Sequence, residues 1–106
     1  MVEELDKFAF QQKVIDTSGK VLVEFFATWC PHCQKEAPVV DKVASELEGV
    51  VPVYRVDIDK CPELAQTYAA DGVPAFALFE GGQMVARKMG EQPREELLSL
   101  VDGQSL

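Results

Sequence analysis

Two cysteines separated by two residues, in Trp29-Cys30-Pro31-His32-Cys33, are the part of this chain best equipped for chemistry. Two intervening residues leave the sulfurs close enough to bond to each other. The pair follows an apolar run, Val21 to Ala27, and precedes a segment with helical periodicity. A sulfur at that junction meets unpaired backbone N–H groups and the positive end of a helix dipole, which favour a thiolate. The thiolate is the nucleophile, so Cys30 is expected to attack a substrate disulfide and Cys33, one turn further in, to resolve the mixed disulfide. His32 would add to this: an imidazolium or N–H donor near the Cys30 sulfur stabilises the dithiol and makes the disulfide a stronger oxidant. The plainer reading of His32 is an exposed helix-start residue.

Cys-x-x-Cys alone is not specific, because zinc sites use the same spacing. Cys30, His32, Cys33 and Cys61 supply four ligands on paper, yet three of them within four residues would be cramped. No second Cys-x-x-Cys and no His pair is present. No metal and no cofactor is therefore expected. Glu24 is the other residue out of place, a carboxylate inside the apolar run. Burial raises the pKa of such a group unless a cation reaches it, and such groups often shuttle protons. The alternative is a structural carboxylate paired with a base.

The elements that must position these residues follow from periodicity. Phe8 to Ile15 reads as a short helix ended by Thr17-Ser18-Gly19. Val21 to Ala27 suits a strand buried on both faces. Ala37, Val40, Val43, Ala44 and Leu47 step by three and four, which predicts a helix from Pro31 or His32 to Leu47, ending near Gly49. Pro31 fits its first turn, whereas Pro38 lies inside it and should kink it. Val50 to Ile58 reads as a second strand and Pro62 to Tyr68 as a short helix. Ala75 to Phe79, the turn Gly81-Gly82 and Gln83 to Met89 form a hairpin, and Pro93 opens a last helix with Leu97, Leu98 and Val101 facing the core. Strands alternating with helices, then a hairpin and a helix, predict an α/β sandwich with a mixed sheet covered on both faces.

Composition bounds the partners. The 106 residues suit a single domain, 1–106, and the 47% hydrophobic and 26% charged content is that of a globular protein. A formal net charge of −8 argues against nucleic acid and anionic membrane surfaces. No apolar run approaches the roughly 20 residues of a membrane span, and the N-terminus has no secretory pattern. The expected compartment is the cytoplasm, where a close cysteine pair is catalytic more often than structural.

Val23-Glu24-Phe25-Phe26-Ala27-Thr28-Trp29-Cys30, followed by Pro31-His32-Cys33 and then Pro38, resembles the active-site strand and helix of thioredoxins. Gly72-Val73-Pro74-Ala75 is similar to the family's cis-proline loop, Gly81-Gly82 to its hairpin turn and Gly90 to the glycine before its last helix. The resemblance spans essentially the whole chain and implies the thioredoxin fold, a three-layer α/β/α arrangement with about five strands and four helices. It departs at Pro31-His32, where thioredoxins commonly carry Gly-Pro; this dipeptide is that of the bacterial disulfide-forming protein DsbA.

The resemblance implies further roles. Glu24 becomes the proton acceptor for Cys33, with Arg55 at the position of the family's lysine as its base. Pro74 becomes a cis-proline packed on the cysteines, and Val73 offers backbone to an extended substrate. Trp29 becomes an exposed platform whose N–H bonds a carboxylate such as Asp59. Pro31, Gly72 and Gly90 complete the substrate face, while Phe26 is expected only to pack. Some thioredoxins pair a cysteine at the place of Cys61 with one seven residues later; here that residue is Tyr68, leaving Cys61 inert or open to glutathionylation. The implied activity is that of a monomeric reductant or exchanger of protein disulfides, recharged by a flavin-dependent thioredoxin reductase. A disulfide oxidase or isomerase and a non-catalytic binding module are the alternatives.

Overall fold

The computed structural model describes residues 2–103, so Met1 and residues 104–106 of the expected domain lie outside the described residues. Five strands form one sheet in the order β1-β3-β2-β4-β5, with β1 (Glu3–Glu4), β2 (Lys20–Phe26), β3 (Val53–Asp57), β4 (Ala75–Glu80) and β5 (Gln83–Met89). β1 and β2 run parallel to β3, and β4 runs antiparallel to both β2 and β5. The helices are α1 (Lys7–Phe10), α2 (Pro31–Glu46), α3 (Pro62–Tyr68) and α4 (Arg94–Asp102).

The central strand divides the core by simple alternation, since successive side chains point to opposite faces. Val21, Val23 and Phe25 join Leu5, Phe10, Val14, Ala77 and Phe79, with Leu64 and Tyr68 of α3 packed against them. Phe10, Phe25, Tyr68 and Phe79 form an aromatic cluster; Tyr68 meets Phe79 edge-on with ring centroids 5.1 Å apart. On the other face Leu22 joins Phe76 and Leu78 under Val40 and Val43 of α2 and Leu97, Leu100 and Val101 of α4. Both faces are thus covered, which is why β2 carries almost no polar residue.

Several boundaries differ from the sequence reading. β1 was not expected: it is two acidic, exposed residues with no apolar alternation, held by pairing Glu3 with Tyr54 and Glu4 with Arg55. Lys13 and Lys60 reach Glu3 and Glu4 at 2.7 and 3.3 Å. The strand expected over Val50–Ile58 is shorter because Val51 still donates to the Leu47 carbonyl at 2.9 Å, as the end of the preceding helix, and Val50 is 74% exposed. The first helix, capped by the Asp6 carboxylate accepting the Ala9 N–H, widens into a π-helical turn over Gln11–Ile15. In α4 it is Leu100 rather than Leu98 that joins Leu97 and Val101 in the buried set; Leu98 is half-buried at its border.

The hairpin turn fixes the position of the last two strands through Gly81 and Gly82, both with positive φ, +62° and +80°. Two such residues match the right-handed strand twist. Gly82 also lies against the backbone at the end of the first helix: a Cβ there would fall 2.3 Å from the Ile15 carbonyl oxygen, whereas one at Gly81 meets open space. Gly81→Ala should therefore cost about 1–2 kcal/mol, the left-handed penalty alone, and Gly82→Ala clearly more, as read by urea denaturation. Equal losses would show that the approach to Ile15 does not constrain the turn.

Candidate functional site

β2 ends at Phe26, and the chain turns through Ala27, Thr28 and Trp29 before α2 begins. Cys30 is the residue that caps α2, with extended backbone (φ −88°, ψ 115°), and Pro31 occupies the first turn, where its missing N–H is no loss. The turn is tied by the Cys30 N–H to the Ala27 carbonyl at 3.3 Å and by the Gln34 side chain to the Thr28 carbonyl at 2.9 Å. Phe26, Ala27, Cys30 and Cys33 form a small buried cluster of their own, with Val73 packed on it. All three cysteines are free thiols.

The two sulfurs of the pair are not equivalent. Cys30 is 5% exposed and its thiol contacts the Val73 carbonyl at 3.8 Å. Cys33 is 1% exposed. Burial pushes the Cys33 thiol up to about 12; the Ala27 backbone opposes this and the neighbouring Cys30 thiol adds to it. As a thiol Cys33 is a poor nucleophile until a base takes its proton.

Glu24 lies on the same face of β2 as Leu22 and Phe26, the face that α2 covers, and is fully buried. Its register partner on β3 is Arg55, so adjacent strands deliver the pair to one face. Arg55 Nε donates to Glu24 Oε1 at 3.2 Å, while Oε2 has no hydrogen-bond partner among the described residues. Burial raises the Glu24 carboxyl to about 7 despite Arg55, which lowers it. The sequence reading set these two effects against each other, and burial wins. Phe26 does more than pack: the Arg55 guanidinium sits over its ring at 3.8 Å and is thereby oriented toward Glu24.

The surrounding loops meet at the cysteines. Trp29 is 64% exposed and its indole N–H donates to Asp59 Oδ2 at 2.7 Å. The Val73–Pro74 peptide bond is cis and Pro74 is buried. Gly90 donates its N–H to the Pro74 carbonyl at 2.8 Å, which joins the end of β5 to that loop. Gly72 has φ +134°, and a Cβ on it would press on the Met89 side chain. Pro38 lies within α2 on its exposed side, and Pro31 is exposed at the helix start. His32 is exposed, and its Nδ1 pairs with the Glu91 carboxylate.

Cys61 is not part of this site. It caps α3 in the core under Leu5 and Phe10, and burial raises its thiol as well. Among the described residues no group of three or more His, Cys, Asp or Glu side chains is placed to hold a metal.

Two buried carboxylates escaped the sequence reading. Asp57, at the end of β3, accepts the Asp59 N–H at 2.8 Å and so shapes the loop that carries the Trp29 partner. Glu36 is 2% exposed and accepts the Gln92 N–H at 3.2 Å. Its signal was present, because Cys33, Glu36, Val40 and Val43 step along one helical face.

The thioredoxin family model matches residues 1–103 of the chain. Thioredoxin 1 of Nostoc sp. is 40% identical over 88 residues, covering 83% of this chain and 82% of that protein. Thioredoxin C-2 of Corynebacterium nephridii is 37% identical over 93 residues, covering 88% and 86%. The bifunctional thioredoxin reductase/thioredoxin of Mycobacterium leprae is 37% identical over 95 residues, 90% of this chain but 21% of that longer protein. No helix of the described residues is long and apolar enough to cross a membrane. A cysteine pair at the mouth of a strand-to-helix turn, inside a sheet of this order and with relatives of this identity along most of its length, decides the assignment: the chain belongs to the thioredoxin family and is a thiol–disulfide oxidoreductase of that type.

Proposed function

We propose that the protein is a monomeric cytoplasmic reductant of protein disulfides whose potential lies above that of an ordinary thioredoxin, and that Glu24 supplies the base for its second step. The Cys30 thiolate attacks a substrate disulfide, expelling one substrate thiolate and forming a mixed disulfide. Cys33 passes its proton to Glu24 through a bridging water and attacks the Cys30 sulfur. The second substrate thiolate leaves, and the protein is left with a Cys30–Cys33 disulfide. Two electrons from a flavin-dependent thioredoxin reductase restore the dithiol; the Mycobacterium leprae relative, whose name joins the two activities, supports that partner.

The observation that carries this reading is the unbonded Oε2 of a fully buried Glu24, together with a Cys33 thiol that needs a base. A carboxyl near 7 is matched to the proton it must accept and return at neutral pH. Trp29, held by Asp59, and the Val73 backbone beside Pro74 offer a flat apolar platform and main-chain hydrogen bonds to an extended substrate. Pro31, Gly72 and Gly90 border that face, Arg55 orients Glu24, and Pro38 shapes the helix behind the pair.

Three outcomes are expected. Glu24→Gln should slow resolution of the mixed disulfide on the order of 10²-fold in stopped-flow quenching at pH 7, the low end of general-base contributions; an unchanged rate removes Glu24 from the proton path. The same carboxyl makes stability pH-dependent. Its folded value, about 7, exceeds the ordinary 4.5, so between those values the folded state binds more protons than the unfolded. The stabilisation is complete below about pH 4.5 and is lost as pH rises through 7, for a total of about 3 kcal/mol at ~1.4 kcal/mol per unit. Urea midpoints of wild type, referenced to Glu24→Gln, should fall between pH 5 and 8; a flat difference contradicts the buried carboxyl. Finally, equilibration with glutathione buffers should place the Cys30–Cys33 couple between about −270 mV and about −120 mV, the thioredoxin and DsbA values. A value at or below the thioredoxin one would leave His32 without a tuning role.

A further inference from the structure

The loop between β5 and α4 is fastened at one end to the Pro74 loop and at the other to α2. Gly90 donates to the Pro74 carbonyl at 2.8 Å, and Gln92 donates its backbone N–H to the buried Glu36 at 3.2 Å. The Gln92 side chain closes the loop on the Met89 carbonyl at 3.0 Å. Between these anchors stands Glu91, whose carboxylate pairs with His32 Nδ1 across the start of α2. The Cys30 thiol, meanwhile, contacts the Val73 carbonyl.

We propose that Glu91 is a positioning residue for His32: it holds the imidazole against the Gly90–Gln92 loop and offsets its charge, so that the site is less oxidising than its Pro31-His32 dipeptide alone would make it. The inference rests on the proposed tuning role of His32. An isolated surface pair contributes little, because ordering two side chains offsets most of the attraction. Here the backbone on either side of Glu91 is already fixed through Pro74 and Glu36, so less ordering remains to be done.

For an imidazole that keeps the same protonation state in both proteins, the direction of the effect is the same whether it is charged or neutral. With Glu91 in place the His32–Glu91 pair is neutral or negative. With glutamine at 91 it is positive or neutral, and in either case the surroundings of Cys30 become more favourable to a thiolate. In the equilibrium the Cys30–Cys33 disulfide takes two electrons and two protons from two glutathione thiols, giving the dithiol and one glutathione disulfide. Favouring the thiolate moves that equilibrium toward the dithiol.

Four proteins decide the matter: wild type, Glu91→Gln, His32→Gly and the double variant, each equilibrated with glutathione buffers. Glu91→Gln should shift the equilibrium constant toward the dithiol by about two- to tenfold, up to about 30 mV. In the His32→Gly background the same substitution should shift it by less than half as much on a logarithmic scale. An equal shift in both backgrounds, or none in wild type, overturns the inference while leaving the tuning role intact if His32→Gly alone lowers the potential. If His32→Gly leaves the potential unchanged, the tuning role and the inference fall together.

Discussion

A carboxylate sealed inside the central strand is the constraint on which the rest of the arrangement depends. β2 is covered on both faces, so anything polar on it must find a partner within the protein or change its protonation. Glu24 does both in part. One oxygen takes Arg55 from the neighbouring strand, the other has no partner among the described residues, and burial raises the carboxyl to about 7. Arg55 in turn is pinned by the ring of Phe26, two residues from Glu24 on β2. The strand that delivers the cysteines to the helix start thus also carries the group proposed to take the Cys33 proton.

The helix starts show how context, and not local motif, makes a thiol useful. Cys30-Pro31 and Cys61-Pro62 are the same device: a cysteine at the cap and a proline in the first turn. Cys30 is buried in the small cluster with Phe26, Ala27 and Cys33, beside Val73 and next to the exposed Trp29, at the start of a helix of 16 residues. Cys61 opens a helix of seven residues, lies in the aromatic half of the core, and faces the acidic groups of Asp6 and Asp57, which together with burial disfavour its thiolate. Where a second cysteine would be needed to pair with it, Tyr68 instead closes the cluster around Phe79.

Much of this was legible beforehand. The buried run over Val21–Ala27, the three-and-four spacing after Cys33 and the Gly81-Gly82 turn placed β2, α2 and the β4–β5 hairpin almost to the residue, because each rests on a strong local pattern. The Trp29–Asp59 hydrogen bond and the Glu24–Arg55 pair were named through the resemblance to thioredoxins and are present. What sequence could not show were features held by tertiary contact alone. β1 exists because Glu3 and Glu4 pair with β3, and the His32–Glu91 contact joins residues 59 positions apart. Glu36 is readable only from its helical face, since a glutamate three residues beyond the pair otherwise has the composition of a surface residue.

The proposed chemistry divides labour between two neighbouring sulfurs, with Cys30 attacking and Cys33 held back as a buried thiol until a base releases it. Alkylation of the reduced native protein with iodoacetamide, followed by peptide mapping over time, addresses it most directly. Cys30 should be modified well before Cys33 and Cys61, whose thiols burial raises and so holds protonated. Modification of Cys33 as fast as Cys30 would contradict it.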